Sequence, residues 1–277
     1  MKKYNFIDLF AGAGGLSEGF IRAGYNPIAH VEMNKDACDT LKTRTAYHYL
    51  KEKGRIDEYY KYLKGIISRD ELWAMVPSHL INSVINKEIS TKTLPDIFKQ
   101  IDSELGNKSV DLVVGGPPCQ AYSVAGRARK NMDDDPRNHL YKHYVEFLKK
   151  YKPKMFVFEN VPGILSASNG DYLEKIFNAV RKQGYELEKK ILNAKNFNVL
   201  QDRKRVIIIG WKKELNLSYP SFETKENNYE ILKDLFADLP KLKSAQGEWK
   251  ASQYIKKTNS YLESTGIRNG IDFTTQH

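Results

Sequence analysis

The stretch NFIDLFAGAGGLSEGFIRAGYNPIAHVE, residues 5–32, constrains the fold more than any other part of the chain. Asn5–Phe10 is an apolar run with strand character, and AGAGG (11–15) is a glycine turn. Leu16–Ala23 follows with Leu16, Phe20 and Ala23 at helical spacing, and Gly24 is placed to stop it. Pro27–Val31 then reads as a second strand that ends at Glu32. Strand, tight turn, helix and strand make the opening of a βαβ unit. In sheets built from such units, ligands bind beyond the carboxyl ends of the strands.

The rest of the chain continues the alternation. Residues 36–85 read as helices with polar turns, Leu94–Leu105 as a helix and Val110–Val114 as a buried strand. Leu140–Tyr151 reads as a helix, Met155–Phe158 as a strand ending at Glu159, and Asp171–Gly184 as a helix. Leu187–Leu192 and Val206–Trp211 are two late strands. The expected class is α/β: a doubly wound, mostly parallel sheet covered on both faces, with a helical insertion at about 36–85. The pattern weakens after Trp211, and residues 240–277 are polar, with Gly, Ser, Thr and Asn throughout.

Composition excludes several classes. No apolar run approaches the roughly 20 residues of a membrane span, and the N-terminal MKKYNFIDLF reads as a strand start, not a secretory signal. The only cysteines, Cys38 and Cys119, make no disulfide framework, which points to a reducing cytosol. No Cys/His cluster has zinc-site spacing, so no metal is expected. The net charge of +10 favours a polyanionic partner such as nucleic acid. Half of that charge lies in residues 42–69, where eight Lys/Arg stand against three acids and five tyrosines are interleaved. That segment reads either as a nucleic-acid contact face or as a solvated helical insertion with its tyrosines packed inward.

The glycine turn does not match the dinucleotide pattern G-x-G-x-x-G, because Ser17 stands where the third glycine belongs, and no G-K-S/T follows it. That counts against a nicotinamide dehydrogenase and against a P-loop. Glu32, about 20 residues past the glycines, is placed to accept hydrogen bonds from both hydroxyls of a ribose. A nucleoside without a pyrophosphate fits this pairing.

GGPPCQ (115–120) follows the buried strand, so Cys119 stands at the same carboxyl edge on a proline-braced turn. A packing cysteine is normally inside an element; this one reads as a reactive thiol, attacking as thiolate. Glu159-Asn160-Val161 closes another strand at that edge. In QDRKR (201–205), strand alternation would put Gln201, Arg203 and Arg205 on one face. Residues 120–135, QAYSVAGRARKNMDDD, have the composition of a lid: Gly126 as hinge, and Arg127, Arg129 and Lys130 for phosphates.

FIDLFAGAGG, GGPPCQAYS, FENV, LNAKNFNVLQ and QDRKR, in this order, resemble the motifs of the C5-cytosine DNA methyltransferases over about residues 4–211. The resemblance implies a Rossmann-like methyltransferase fold and methyl transfer from S-adenosylmethionine to C5 of cytosine in double-stranded DNA, with S-adenosylhomocysteine as product. It implies Cys119 as the thiolate that adds to C6. Glu159 would hold a proton at N3, and Arg203 and Arg205 would hold the base and the thiolate side. Phe10, Ala11, Gly12, Gly14, Gly15 and Leu16 would line the donor; Glu32 would hold its ribose and Met33 would touch its adenine. Glu88 and Ile89 (in NKEIS) are the closest match to an Asp-Ile pair near the adenine amino group, a departure in the longer acid. Pro118 and Leu140 would complete the pocket, and Asn160 would support the site. A base inside a duplex must be flipped out, and Gln120, Ser123, Gly126, Arg127, Arg129 and Lys130 would form the DNA-contacting lid.

LKDLFADLPKL (232–242) resembles the segment just before the family's target-recognition domain. The expected division is therefore a catalytic domain over 1–235 and the start of an incomplete recognition region over 236–277. On this reading the chain is a split subunit or a truncated chain, with little activity unless a second polypeptide supplies the missing region. The family habit implies a bacterial, cytoplasmic enzyme of a restriction–modification system. Alternatives are a tRNA cytosine-5 methyltransferase of the same chemistry and a non-catalytic DNA-binding partner; the intact Cys119, Glu159 and Arg203 set argues against the second.

Overall fold

The structure is a computed structural model that describes residues 3–118, 139–224, 231–244 and 246, with short pieces at 251–253, 262 and 273–275. The chain divides into two compact units, Met1–Leu192 with Lys204–Phe222, and Asn193–Arg203 with Glu223–His277. The expected break at 235/236 falls inside the second of these.

The first unit is built on a seven-stranded sheet. Its strands are β1 (Asn5–Leu9), β2 (Asn26–Glu32), β3 (Val84–Asn86), β4 (Leu112–Gly115), β5 (Met155–Asn160), β6 (Tyr185–Asn193) and β7 (Lys204–Lys212), in the order β3-β2-β1-β4-β5-β7-β6. The pairs β2/β3, β1/β2, β1/β4 and β4/β5 are parallel, and β5/β7 is antiparallel. The central strands are buried on both faces, which is why they read as continuous apolar runs. β3 was expected to lie within the helical insertion; at three residues it is too short to show a period of its own.

Side-chain alternation sorts the core into two layers. Ile7 and Leu9, Val113, Phe156 and Phe158, and Val206 and Ile208 point to one face. There they meet α6 (Leu94–Leu105) through Ile97 and Ile101, α7 (Leu140–Tyr151) through Tyr144 and Phe147, and α8 (Asp171–Arg181) through Ile176 and Val180. Phe6, Leu112 and Val114, Val157, and Ile209 and Trp211 point to the other face, which Leu16, Phe20 and Ile21 of α1 (Gly15–Arg22) cover.

The insertion consists of α2 (Lys35–Glu52), α3 (Ile56–Leu63), α4 (Arg69–Ala74) and α5 (Ser78–Asn82). Asn34 caps α2 by accepting from the Ala37 N–H at 2.9 Å. Ala46, Leu50, Leu72 and Val76 form a separate small core, with Tyr49, Tyr59, Tyr62 and Trp73 against it. Tyr47 stacks edge-on to Tyr59 with ring centroids 5.1 Å apart, while Tyr60 is the exposed one. The tyrosines thus serve the insertion's own packing, and Lys51 and Lys53 lie over the rings of Tyr47 and Tyr49 at 5.6 and 5.8 Å.

In the second unit, α9 (Ile231–Leu235) is a short helix, and β8 (Ala251–Gln253) pairs antiparallel with β9 (Phe273–Thr275). Among the described residues, no helix is long and apolar enough to cross a membrane.

Candidate active site

The parallel strands end together: β1 at Leu9, β2 at Glu32, β4 at Gly115 and β5 at Asn160. The residues expected to act there are the next ones along each strand. After β1 the backbone turns sharply. Phe10 has φ 54°, Gly12 53° and Gly14 84°. A phenylalanine in the left-handed region is uncommon and costs on the order of 1–2 kcal/mol. Its side chain packs against the core. Gly14 is required twice over, because a Cβ there would also lie 2.7 Å from Leu41 Cδ2 on α2. Among the described residues, nothing lies within 4 Å of where a Cβ would stand at Gly12 or Gly15. Ala11 is buried with Cys38, Leu41 and Val84, and Leu16 packs on the α1 side of the sheet.

Glu32 faces this loop. Its Oε2 accepts from the Gly12 N–H at 2.8 Å and its Oε1 from the Asn34 N–H at 2.8 Å. A carboxylate has about four lone-pair positions, so each oxygen keeps capacity for a further donor. Asn86 Nδ2 donates to the carbonyls of Glu32 and Met33, at 3.1 and 2.9 Å, and holds this corner to β3. Met33 is 65% exposed. Of the next pair, Glu88 is exposed and its carbonyl accepts from Thr93 Oγ1, while Ile89 is buried in the main core. Pro118 is exposed and Leu140 half-buried at the start of α7.

Cys38, by contrast with the expected reactive thiol, is an interior residue. It is 1% exposed, and its Sγ donates to the Glu32 carbonyl at 3.3 Å. Burial, then the Glu32 charge, pushes this thiol up, away from the thiolate.

The end of β4 and the end of β5 are fitted to each other. A Cβ at Gly115 would stand 2.4 Å from the Leu9 carbonyl oxygen, and one at Gly116 would stand 2.7 Å from Glu159 Oε2. Both glycines are therefore positions where another group occupies the space of a side chain. Asn160, 5% exposed, donates from Nδ2 to the Pro117 carbonyl at 3.0 Å and accepts the Val161 N–H at 2.9 Å. It ties the Gly-Gly-Pro-Pro segment to β5.

Glu159 Oε1 is paired with Arg205 Nε at 2.8 Å, with the two side chains 27% and 22% exposed. The antiparallel register sets Glu159 opposite Ile207, so Arg205 reaches it from two residues along β7. Arg205 also donates to the Lys204 carbonyl at 2.8 Å. Of Gln201, Arg203 and Arg205, expected to share a strand face, only Arg205 lies within β7, which begins at Lys204. Arg203 belongs to the second unit, where its N–H donates to Asn193 Oδ1 at 3.1 Å and its carbonyl accepts from Ala194.

Cys119, Gln120, Ser123, Gly126, Arg127, Arg129 and Lys130 lie outside the described residues. Among the described residues, no group of three or more His, Cys, Asp or Glu is placed to hold a metal. The sequence reading did not pick out Asn34 and Asn86, which brace Glu32 and Met33. Asn34 carried a readable signal, as an N-cap residue directly after a strand; Asn86 carried none.

The family model of the C-5 cytosine-specific DNA methylases matches residues 4–74 and 83–276. A Type II methyltransferase of Bacillus paralicheniformis is 36% identical over 308 residues, covering 97% of this chain and 69% of the relative. Type II methyltransferases of Haemophilus parahaemolyticus and Desulfomicrobium norvegicum are 31% and 32% identical, and the chain covers 63% and 57% of their lengths. The chain thus spans roughly six-tenths to seven-tenths of the relatives it matches. A solved structure described as a DNA modification methyltransferase encoded within an E. coli prophage aligns with a TM-score of 0.62 at 25% identity, over 93% of this chain and 62% of that one. With the family model spanning nearly all of the sequence and a relative 36% identical over 97% of it, the chain belongs to the C-5 cytosine-specific DNA methylases.

Proposed function

We propose that the chain methylates C5 of a cytosine in double-stranded DNA, with S-adenosylmethionine as methyl donor, as the modification enzyme of a restriction–modification system in the bacterial cytoplasm. The observation that carries this reading is the contact between Glu159 and Gly116. It sets a carboxylate held by Arg205 against the backbone three residues before Cys119. That contact lies at the sheet edge where β1, β2, β4 and β5 all end, the edge that also carries the glycine loop and Glu32.

The residues present fit the donor. Glu32 keeps acceptor capacity for a ribose, Gly12 and Gly15 put no side chain on the loop surface, and Met33 offers an exposed apolar side chain for an adenine. When bound, S-adenosylmethionine supplies a methyl group activated on a sulfonium. The chain's own residues prepare the acceptor. The Cys119 thiolate forms a bond to C6, and the electron pair moves toward C5 and N3. Glu159, fixed by Arg205, holds a proton at N3 against the charge that develops there. C5, now nucleophilic, would take the methyl group and release S-adenosylhomocysteine, then give its proton to a base as the S–C6 bond breaks and the Cys119 thiolate is freed. Arg203 is assigned to the base, Gln120, Ser123, Gly126, Arg127, Arg129 and Lys130 to the lid over the flipped nucleotide, and Leu140 and Pro118 to the pocket wall. Glu88 and Ile89 are assigned to the adenine side, Ile89 through its backbone. Residues 236–277 are read as the start of the target-recognition region. The comparisons lend a separate second subunit no support.

The test is transfer of tritium from labelled S-adenosylmethionine into duplex DNA and, in parallel, into tRNA. Label in cytosine C5-methyl of the DNA is expected. Label in tRNA alone would overturn the substrate assignment.

A further inference from the structure

Directly behind the glycine loop lies a charged cluster that the chemistry above does not use. Glu18 stands in the first turn of α1 with its side chain 14% exposed. Its Oε1 accepts from Arg22 Nε at 2.6 Å, and its Oε2 from Arg44 Nη2 at 2.7 Å and from His48 Nε2 at 2.9 Å. Arg44 and His48 are on α2, so the cluster joins two elements 26 and 30 residues apart in sequence. The Glu18 N–H donates to the Gly14 carbonyl at 3.0 Å, and Ser17 Oγ donates to the same oxygen at 3.2 Å. Gly14 itself lies directly against Leu41 of α2.

The same helix reaches the other half of the site. α2 starts at its cap Asn34, whose N–H holds Glu32 Oε1, while the Gly12 N–H holds Oε2. α2 is thus a splint: one end fixes the carboxylate and its middle grips the loop. An exposed ion pair within one helix contributes little. This one is shielded, has three donors on one carboxylate, and spans the loop helix and the splint.

We propose that Glu18 is a positioning residue which, through Arg44 and His48, locks the glycine loop to α2. The lock sets the spacing between loop and Glu32 that the donor's nucleoside requires. This rests on the donor site proposed above.

The experiment is isothermal titration of the full chain with S-adenosylhomocysteine, together with hydrogen exchange of the Gly12–Gly15 amides. The variants are Glu18→Gln and, as control, Asp39→Asn. Asp39 is also on α2 and also pairs with two cations, Lys35 at 3.2 Å and Arg69 at 3.1 Å, but neither lies on the loop. Glu18→Gln is expected to weaken binding at least tenfold and to speed exchange of the loop amides, with Asp39→Asn within threefold of the parent in both. Binding and exchange within threefold of the parent for Glu18→Gln would overturn the proposal, and so would an equal loss in Asp39→Asn, which would mean general loosening of α2. A parent chain that binds no S-adenosylhomocysteine refutes the donor site itself, and the exchange data then still decide the lock. If Glu18→Gln does not fold, Arg44→Gln breaks the same contact from the other side and is read by the same criteria.

Discussion

Gly115 and Gly116 are adjacent, yet replacing each by alanine should fail in a different way. At Gly115 the added Cβ meets the Leu9 carbonyl oxygen at 2.4 Å, and Cβ and C of Leu9 at 3.1 and 3.2 Å. Leu9 is the register partner of Gly115 in the β1/β4 ladder. No rotamer change relieves a backbone contact, so the two strands must part by most of an ångström at the site of the glycine turn. Overpacking of this kind costs on the order of 3 kcal/mol, which for a domain of this size lowers the melting temperature by roughly 6–12 °C. At Gly116 the Cβ meets Glu159 Oε2 at 2.7 Å and the Glu159 carbonyl at 3.2 Å. The nearer atom is a side-chain end, which can swing away at a cost of about 1 kcal/mol. In doing so it strains the 2.8 Å contact with Arg205 and shifts the carboxylate. A displacement near 1 Å in a catalytic group is worth up to about 10²-fold in rate. The assays are thermal melting and kcat/KM for methyl transfer to duplex DNA. Gly115→Ala should melt far lower, whereas Gly116→Ala should melt within about 4 °C of the parent and lose at least tenfold in kcat/KM. A Gly116→Ala protein of full activity would refute the role given to the Glu159 contact, and an unchanged melting temperature for Gly115→Ala would refute the steric reasoning.

Three further outcomes follow from the same geometry. Asn160→Leu leaves the Pro117 carbonyl without its donor in a buried position, at a cost of about 1–3 kcal/mol; melting should fall and methyl transfer should fall with it, and a variant equal to the parent in both would rule out the tie. Burial raises the Glu18 carboxyl, but hydrogen bonds from His48, Arg22 and Arg44 outweigh it and hold the group at about 2 against an ordinary 4.5. This depressed carboxyl contributes stability that is present above pH 4.5 and lost as pH falls toward 2, at most about 3 kcal/mol. The stability gap between parent and Glu18→Gln should therefore close from about pH 5 to about pH 2, and a pH-independent gap would count against it. Asp8 and His30 face each other across β1/β2, almost fully buried and 3.5 Å apart, and among the described residues Asp8 Oδ2 and His30 Nδ1 have no hydrogen-bond partner. In urea unfolding, Asp8→Ala and His30→Ala should be non-additive by at least about 1 kcal/mol, because removing one partner strands the other; strict additivity would show that the pair does not interact.

Much of this fold was legible because its central strands are buried on both faces. Asn5–Phe10, Val110–Val114 and Met155–Phe158 announced themselves as apolar runs, and the structure places β1, β4 and β5 on those runs, within two residues at each end. β3 was not legible, since Val84–Asn86 owes its strand character to pairing with β2 and not to any pattern. Nor was the direction of β7, because periodicity is the same in both directions. The antiparallel register is what brings Arg205 to Glu159. The start of β7 was read early as well, since QDRKR enters the strand only at Lys204. Charge in residues 42–69 was legible but its meaning was not. The same lysines that suggest a polyanion lie over tyrosine rings that the insertion uses for its own core. The Glu18 cluster was invisible for lack of any sequence signal linking residues 18, 44 and 48.

The central claim is that Cys119 attacks the target base. Its direct measurement is trapping on duplex DNA carrying 5-fluorocytosine, in the presence of S-adenosylmethionine, resolved by denaturing electrophoresis and peptide mass. One turnover is enough to trap the protein, so a slow enzyme still registers. The expected result is a covalent protein–DNA species whose cross-linked peptide contains Cys119 and which is absent for Cys119→Ser. No adduct with the parent chain, or an equal yield from Cys119→Ser, would contradict the claim.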